Sequence, residues 1–172
     1  MARPDIVLDR FVLTPSSPEE GQAVEVYVLM IDPNGPRYDE ERAVRDEVLR
    51  RPIGLIFDAT EFPFEPESMH VLAVTGSPSG RAVATVLIYP EPPRARLFQM
   101  AVVADLRGKG LGRRLVWLAE RLALERGVTL MELHSRRRRA SFYQLFGYEE
   151  VGAPFLEIGM EHVLMEKSLS RR

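Results

Sequence analysis

Apolar and polar positions set out a series of strands and helices along the chain. Residues 22–31 place Val24, Val26, Val28 and Met30 on one face at period two, which predicts a strand. Residues 5–13 alternate more loosely and predict another, ending at Thr14-Pro15-Ser16-Ser17-Pro18. The pattern changes at residues 38–51, where helix formers carry Ala43, Val44, Val48 and Leu49 as the expected buried side. Pro52 is expected to stop that helix, because a proline offers no N–H to the next turn. Residues 53–68 have no period and contain Gly54, Pro63 and Pro66, so a long loop or a broken second helix is expected.

Strands are expected again at residues 69–74 and 81–89, around the turn Gly76-Ser77-Pro78-Ser79-Gly80, and at 94–103. Leu111, Leu115, Leu118 and Leu122 then mark a helix that runs to about residue 126, with Gly127 as its cap. A strand at 128–134, a short helix at 137–146 ending on Gly147, and strands near 148–151 and 162–167 complete the pattern. Consecutive strands followed by a β-α-β unit predict a mixed α/β sheet with helices on both faces. The 172 residues show no repeat, low-complexity tract or linker, so a single domain over 1–172 is expected.

Composition narrows the classes of chemistry. Hydrophobic residues at 45% and charged residues at 28% suit a globular protein with an ordinary core. The net charge of −2 gives no global field toward nucleic acid or an anionic membrane. The absence of cysteine removes thiol catalysis, disulfides and thiolate metal sites together. Met1-Ala2-Arg3-Pro4-Asp5 does not start a signal peptide, and no segment is apolar enough to span a bilayer. A cytoplasmic enzyme or binding protein, with no metal, is the expectation.

The most specific chemistry lies between the strand at 94–103 and the helix after it. Arg107-Gly108-Lys109-Gly110-Leu111-Gly112 gives strand, glycine loop, helix. Alternate glycines let backbone N–H groups approach a ligand without Cβ obstruction. The helix adds its unpaired first-turn N–H groups and the positive end of its dipole, so phosphate is the expected ligand. A P-loop is excluded, because no Gly-x-x-x-x-Gly-Lys-Ser/Thr is present. A dinucleotide fingerprint fails on spacing, and the next strand, Met131-Glu132-Leu133-His134, does not end on an acidic residue for a ribose.

Arg107-x-x-Gly110-x-Gly112 resembles the acetyl-coenzyme A loop of the GNAT superfamily of N-acetyltransferases. Met100-Ala101-Val102 resembles the strand that pairs with the pantetheine arm, and Phe142-Tyr143-Gln144-Leu145-Phe146-Gly147-Tyr148 resembles the family's Phe-Tyr-x-x-x-Gly-Phe/Tyr segment. The tail from Phe155 to Lys167 is similar to the last hairpin of one bacterial subgroup. An early Val-Leu-Arg-x-Pro-Leu-Gly-Leu segment of that subgroup is matched by Val48-Leu49-Arg50-Arg51-Pro52-Ile53-Gly54-Leu55. The resemblance covers roughly residues 38–167. It implies a largely antiparallel sheet of about six to seven strands, with a splayed strand pair at the cofactor site.

It also implies an amine attacking the thioester of acetyl-CoA directly, in a ternary complex. Backbone N–H groups from Gly108 through Lys109, Gly110, Leu111 and Gly112 to Arg113 would then cradle the pyrophosphate. Arg107, Lys109, Arg113 and Arg114 would add positive charge. A backbone N–H of Met100, Ala101 or Val102 would polarise the thioester carbonyl. Tyr143 occupies the position of the acid that protonates the departing thiolate.

The base is left open among His70, Glu132, His134, His162 and a water relay, since Gln99 cannot abstract a proton. Arg136 fits a further cofactor position. Arg139 stands where the family has alanine, with Ala140 one residue late, so the helix start is shifted or that contact is lost. The expected partner is a small-molecule or peptide amine, with no nucleic acid and no membrane, and a homodimer as a candidate assembly. The acidic residues of 53–68, among them Asp58, Glu61, Glu65 and Glu67, would suit a cationic acceptor. A non-catalytic CoA-binding module is the alternative, and a nucleic-acid protein using Arg136–Arg139 is a more distant third reading.

Overall fold

The computed structural model describes residues 3–15 and 21–170; the part of the expected first turn at Ser16-Ser17-Pro18 lies outside the described residues. Its strands are β1 (Ile6–Leu13), β2 (Val24–Ile31), β3 (Met69–Thr75), β4 (Ala82–Glu91), β5 (Arg94–Val102), β6 (Leu130–Arg136), β7 (Glu149–Glu157) and β8 (Met160–Ser168). The α-helices are α1 (Tyr38–Arg45), α2 (Leu111–Glu125) and α3 (Ala140–Gln144). The strands form one eight-stranded sheet in the order β1-β2-β3-β4-β5-β6-β8-β7. This is an open, mostly antiparallel mixed α/β sheet. It exceeds the expected six to seven strands because β1 pairs along its length with β2, Phe11 opposite Val26.

The chain divides into two compact units, Met1–Leu87 with Gln99–Ala119, and Ile88–Phe98 with Glu120–Arg172. In the first, β2 buries both faces rather than the one that its alternation suggested. Val26 and Val28 are buried on one side, while Leu29 and Ile31 pack with Leu72 and Val74 on the other. β3 is buried at six successive positions, so its sequence shows an apolar run in place of alternation.

The helix expected to end at Pro52 does not end there. After α1 the path continues through a π-helical turn, Asp46–Arg50, and a 3₁₀ turn, Arg51–Ile53, and stops at Gly54. Pro52 lies at the start of that 3₁₀ turn, where a missing N–H leaves no acceptor unmatched. Residues 53–68 contain two further short 3₁₀ turns, Ala59–Glu61 and Glu65–Glu67.

In the second unit, Leu97, Leu122, Met131, Leu133, Tyr148 and Met165 are buried. β6 alternates cleanly: Met131, Leu133 and Ser135 are buried, while Glu132, His134 and Arg136 lie on the opposite face. β8 pairs antiparallel with β6, and β7 with β8, across a register break between Val151 and Phe155.

Candidate active site

In the first unit the glycine loop begins where β5 ends. Gly108 and Gly110 take φ of +75° and +86°, the left-handed region, and a Cβ at either would meet nothing within 4 Å. The glycines are thus required by backbone shape, and the space beside them is open for a ligand. Arg114 N–H is bonded to Gly110 C=O at 3.1 Å, which opens α2. The preceding N–H groups of Leu111, Gly112 and Arg113 have no intrahelical acceptor at a 15-residue helix's positive end.

The loop's cations divide into two groups. Arg107 donates from Nε to Val102 C=O at 2.9 Å, which ties the loop back to its own strand. Arg114 does not serve a ligand: its guanidinium holds Asp9 of β1 at 2.5 and 3.1 Å and lies over the rings of Phe11 and Trp117. Lys109 is half-buried and Arg113 is exposed. Ala101 is buried, and Met100 and Val102 are half-buried. Gln99 adopts φ of +51°, a left-handed kink inside a strand, and its Oε1 is buried without a donor among the described residues. An orphaned acceptor, an open left-handed loop and the positive end of a helix together fit an extended ligand with phosphate at one end.

The same unit contains a buried polar network. Glu41, Arg45 and His70 are fully buried. His70 places Nδ1 2.6 Å from Glu41 Oε2 and Nε2 3.0 Å from Glu65 C=O. A carboxylate and a carbonyl only accept, so both ring nitrogens donate and no lone pair is left to act as a base. Burial alone would lower the His70 pKa, but the Glu41 carboxylate and Glu65 outweigh it and raise it. Thr85 donates to the other Glu41 oxygen at 2.7 Å.

The acidic residues expected to await a cationic acceptor are already matched. Glu65 accepts from Arg45 at 2.8 Å and Tyr38 at 2.7 Å, Glu61 pairs with Arg50, and Asp58 caps Thr60. Burial pushes the Glu65 carboxyl up, and Arg45 and Tyr38 overcome it, leaving it below the usual range. Only Glu67, among the four, is exposed without a recorded partner.

In the second unit, parallel pairing of β5 with β6 covers just Arg94–Leu130, Ala95–Met131 and Arg96–Glu132. Among the described residues no further β5–β6 pair follows Arg96–Glu132. Arg94 bridges Glu132 and Glu166, each at 3.3 Å, so Glu132 is engaged. His134, two residues past the last pair, places Nδ1 2.6 Å from Glu157 Oε2, with Phe155 edge-on at 4.9 Å. His162 donates from Nδ1 to Met160 C=O at 3.0 Å, stacks on Phe155, and is 6% exposed.

Tyr143 is half-buried on α3, against Phe142 and Tyr148 at ring distances of 5.1 and 5.9 Å. Burial pushes its hydroxyl up to about 12. Tyr148 is buried beside Glu120, which with burial lifts it further still. The arginine run forms a 3₁₀ turn, Arg137–Arg139, and buried Ala140 starts α3. Arg137 pairs with Glu150 at 2.7 Å, while Arg136 stands at the turn's start. Glu157 and Arg96 were not singled out by the sequence; the hairpin register that pairs Glu157 with Met160 is the signal that brings Glu157 onto the histidine face.

The GNAT acetyltransferase family model matches residues 35–148. The uncharacterised Bacillus subtilis protein YyaT is 38% identical over 77 residues, 45% of this chain and 52% of that protein. The chain spans about half the length of the curated relatives it matches first. A solved structure from Lactobacillus plantarum, of a protein classed with the N-acetyltransferases, aligns at TM-score 0.72 and 24% identity, covering 86% of this chain and 99% of that one. An aminoglycoside 6'-N-acetyltransferase complexed with coenzyme A aligns at TM-score 0.66 and 18% identity, covering 84% and 98%. Acetyl-CoA is the acyl donor of the matched family. The chain belongs to the GNAT acetyltransferase family.

Proposed function

We propose that this protein transfers an acetyl group from acetyl-CoA to a primary amine by direct attack in a ternary complex. The observation that carries the reading is the left-handed Gly108–Gly110 loop, open beside its glycines and leading into the unpaired N–H groups of α2. Gly108 to Arg113 would hold the pyrophosphate through backbone N–H groups, with Lys109, Arg113 and Arg107 adding charge. Arg136 would add a further contact. When bound, acetyl-CoA supplies a thioester carbonyl and a thiolate leaving group.

A backbone N–H among Met100, Ala101 and Val102 would donate to the carbonyl oxygen as negative charge builds there. The Gln99 kink supports that role, since it turns the backbone out of the strand conformation next to those residues. Tyr143 would give its proton to the departing sulfur. A hydroxyl held at about 12 carries its proton throughout the working range, as an acid must.

The whole chain would work as one transferase domain, and the acceptor would be a small-molecule or peptide amine. The paired state of Glu61, Glu65 and Asp58 argues against reading the 53–68 segment as a cation trap. Tyr143→Phe tests the assignment: turnover against an amine panel should fall about 100-fold or more while acetyl-CoA affinity by calorimetry stays unchanged. Full retention of turnover would remove Tyr143 as the acid. A wild-type protein that binds acetyl-CoA and acetylates nothing would support the CoA-binding module.

A further inference from the structure

Four charged or titratable side chains converge on one face of the second unit, at the point where β5 and β6 part. Arg96 pairs with Glu132 in the last β5–β6 rung, which puts it on the face of His134 and Arg136. Arg136 lies opposite His162, and Phe155 also lies opposite His162, so β8 and β7 join the same face. Around His134 stand Arg96 from β5, Glu157 from β7 and His162 from β8, and Phe155 fixes the ring's plane.

The protonation of His134 follows from its partners. Glu157 Oε2 is 2.6 Å from Nδ1, and an ionised carboxylate has only lone pairs to offer, so a proton lies between them. That proton belongs to the histidine, because the bond to His134 holds the Glu157 carboxyl below its usual range against burial. Arg96 also comes within 2.9 Å of Nδ1. A guanidinium only donates and so competes for that nitrogen, but the shorter carboxylate contact cannot form without a proton and sets the tautomer, while Arg96 offsets the carboxylate's charge. Neutral His134 therefore carries hydrogen on Nδ1 and a lone pair on Nε2. Among the described residues Nε2 has no hydrogen-bond partner, and the side chain is 30% exposed.

The other candidates lack this combination. His70 donates through both nitrogens inside the core, and His162 is 6% exposed. Glu132 is held by Arg94. Resting on the acetyl-transfer reading above, we infer that His134 is the general base for the acceptor amine, and that Glu157 is the positioning residue that sets its tautomer. A base oriented by a third group through its far nitrogen is a recurrent solution for activating a nucleophile.

The step balances. An N–H bond of the ammonium breaks, its proton goes to His134 Nε2, and the freed lone pair forms the C–N bond to the acetyl carbon. The C–S bond breaks with its electron pair on sulfur, which takes the proton from Tyr143. The nitrogen's second proton replaces the one Tyr143 gave, and the proton on Nε2 passes to water. One proton leaves per acetyl group moved.

The test uses the full chain, acetyl-CoA and the panel amine with the highest wild-type turnover. His134→Gln should lower kcat about 100-fold or more, leave acetyl-CoA binding unchanged, and remove the acid limb of the pH–rate profile. Glu157→Gln should keep partial activity while proton–nitrogen NMR shows part of the neutral ring moving its hydrogen to Nε2, because the acceptor that holds it on Nδ1 is gone. Long-range proton–nitrogen NMR of the wild type should show Nδ1 protonated and Nε2 bare at high pH. Wild-type-like turnover and pH profile in His134→Gln, or an Nε2–H tautomer, overturns the base assignment and leaves acetyl transfer standing. A wild type inert toward every amine overturns acetyl transfer, and the base falls with it.

Discussion

His70 shows how one residue type serves opposite ends within a single chain. It lies at the centre of the first unit with both nitrogens donating, so its charge is a structural component. Its folded pKa is raised above the unfolded value near 6.5. The stability that this charge contributes is therefore fully present below about pH 6.5 and is lost as pH rises through the elevated folded value. Urea unfolding across that range should show stability falling with pH in the wild type. His70→Gln should flatten that dependence and lower stability by about 3–5 kcal/mol at low pH, since it leaves Glu41 buried without its counter-charge. A wild-type slope of opposite sign would exclude a buried imidazolium.

At the scale of elements, the proposed donor site rests on the glycine loop and the helix behind it. Gly110→Ala would force a side chain into a left-handed conformation, at a cost of about 1–3 kcal/mol. Because nothing packs against that position, the change should appear mostly as lost acetyl-CoA affinity, about tenfold or more by calorimetry, with the fold retained. An unchanged Kd would detach the loop from the cofactor.

The loop was legible in the sequence because its chemistry lies in consecutive residues, and β2, β6 and α2 were legible because their periodicity is local. The rest depends on partners distant in the chain. Nothing near Pro52 reveals that a π turn carries the helix past it. Nothing near Asp58, Glu61 or Glu65 reveals that Thr60, Arg50 and Arg45 meet them. His134 could be named as a base candidate, but Glu157 lies 23 residues away and reaches it only through the pairing of three strands. The arginine run shows a milder case: three of its residues form a 3₁₀ turn, which composition does not reveal.

Across the whole molecule the charge is nearly balanced, so affinity for the donor should come from local contacts. A donor that binds the folded chain alone stabilises it by mass action, about 2.7 kcal/mol at a hundred times Kd. At this chain length that corresponds to a rise in Tm of roughly 5–11 °C. Thermal melts with acetyl-CoA should show the shift, and pantetheine, which lacks the pyrophosphate, should give much less. Equal shifts from both would mean that the glycine loop contributes little.

The clamp between Arg114 and Asp9 has an optical consequence. Arg114 follows the loop's last glycine by two residues, and its guanidinium lies over Trp117, the chain's sole tryptophan, 5.7 Å from the ring centroid. That indole is half exposed, so its emission is sensitive to solvent and to the cation above it. The protein thus carries an intrinsic fluorophore on the helix that begins at its glycine loop, and loosening of the Arg114–Asp9 clamp can be followed by fluorescence without any label.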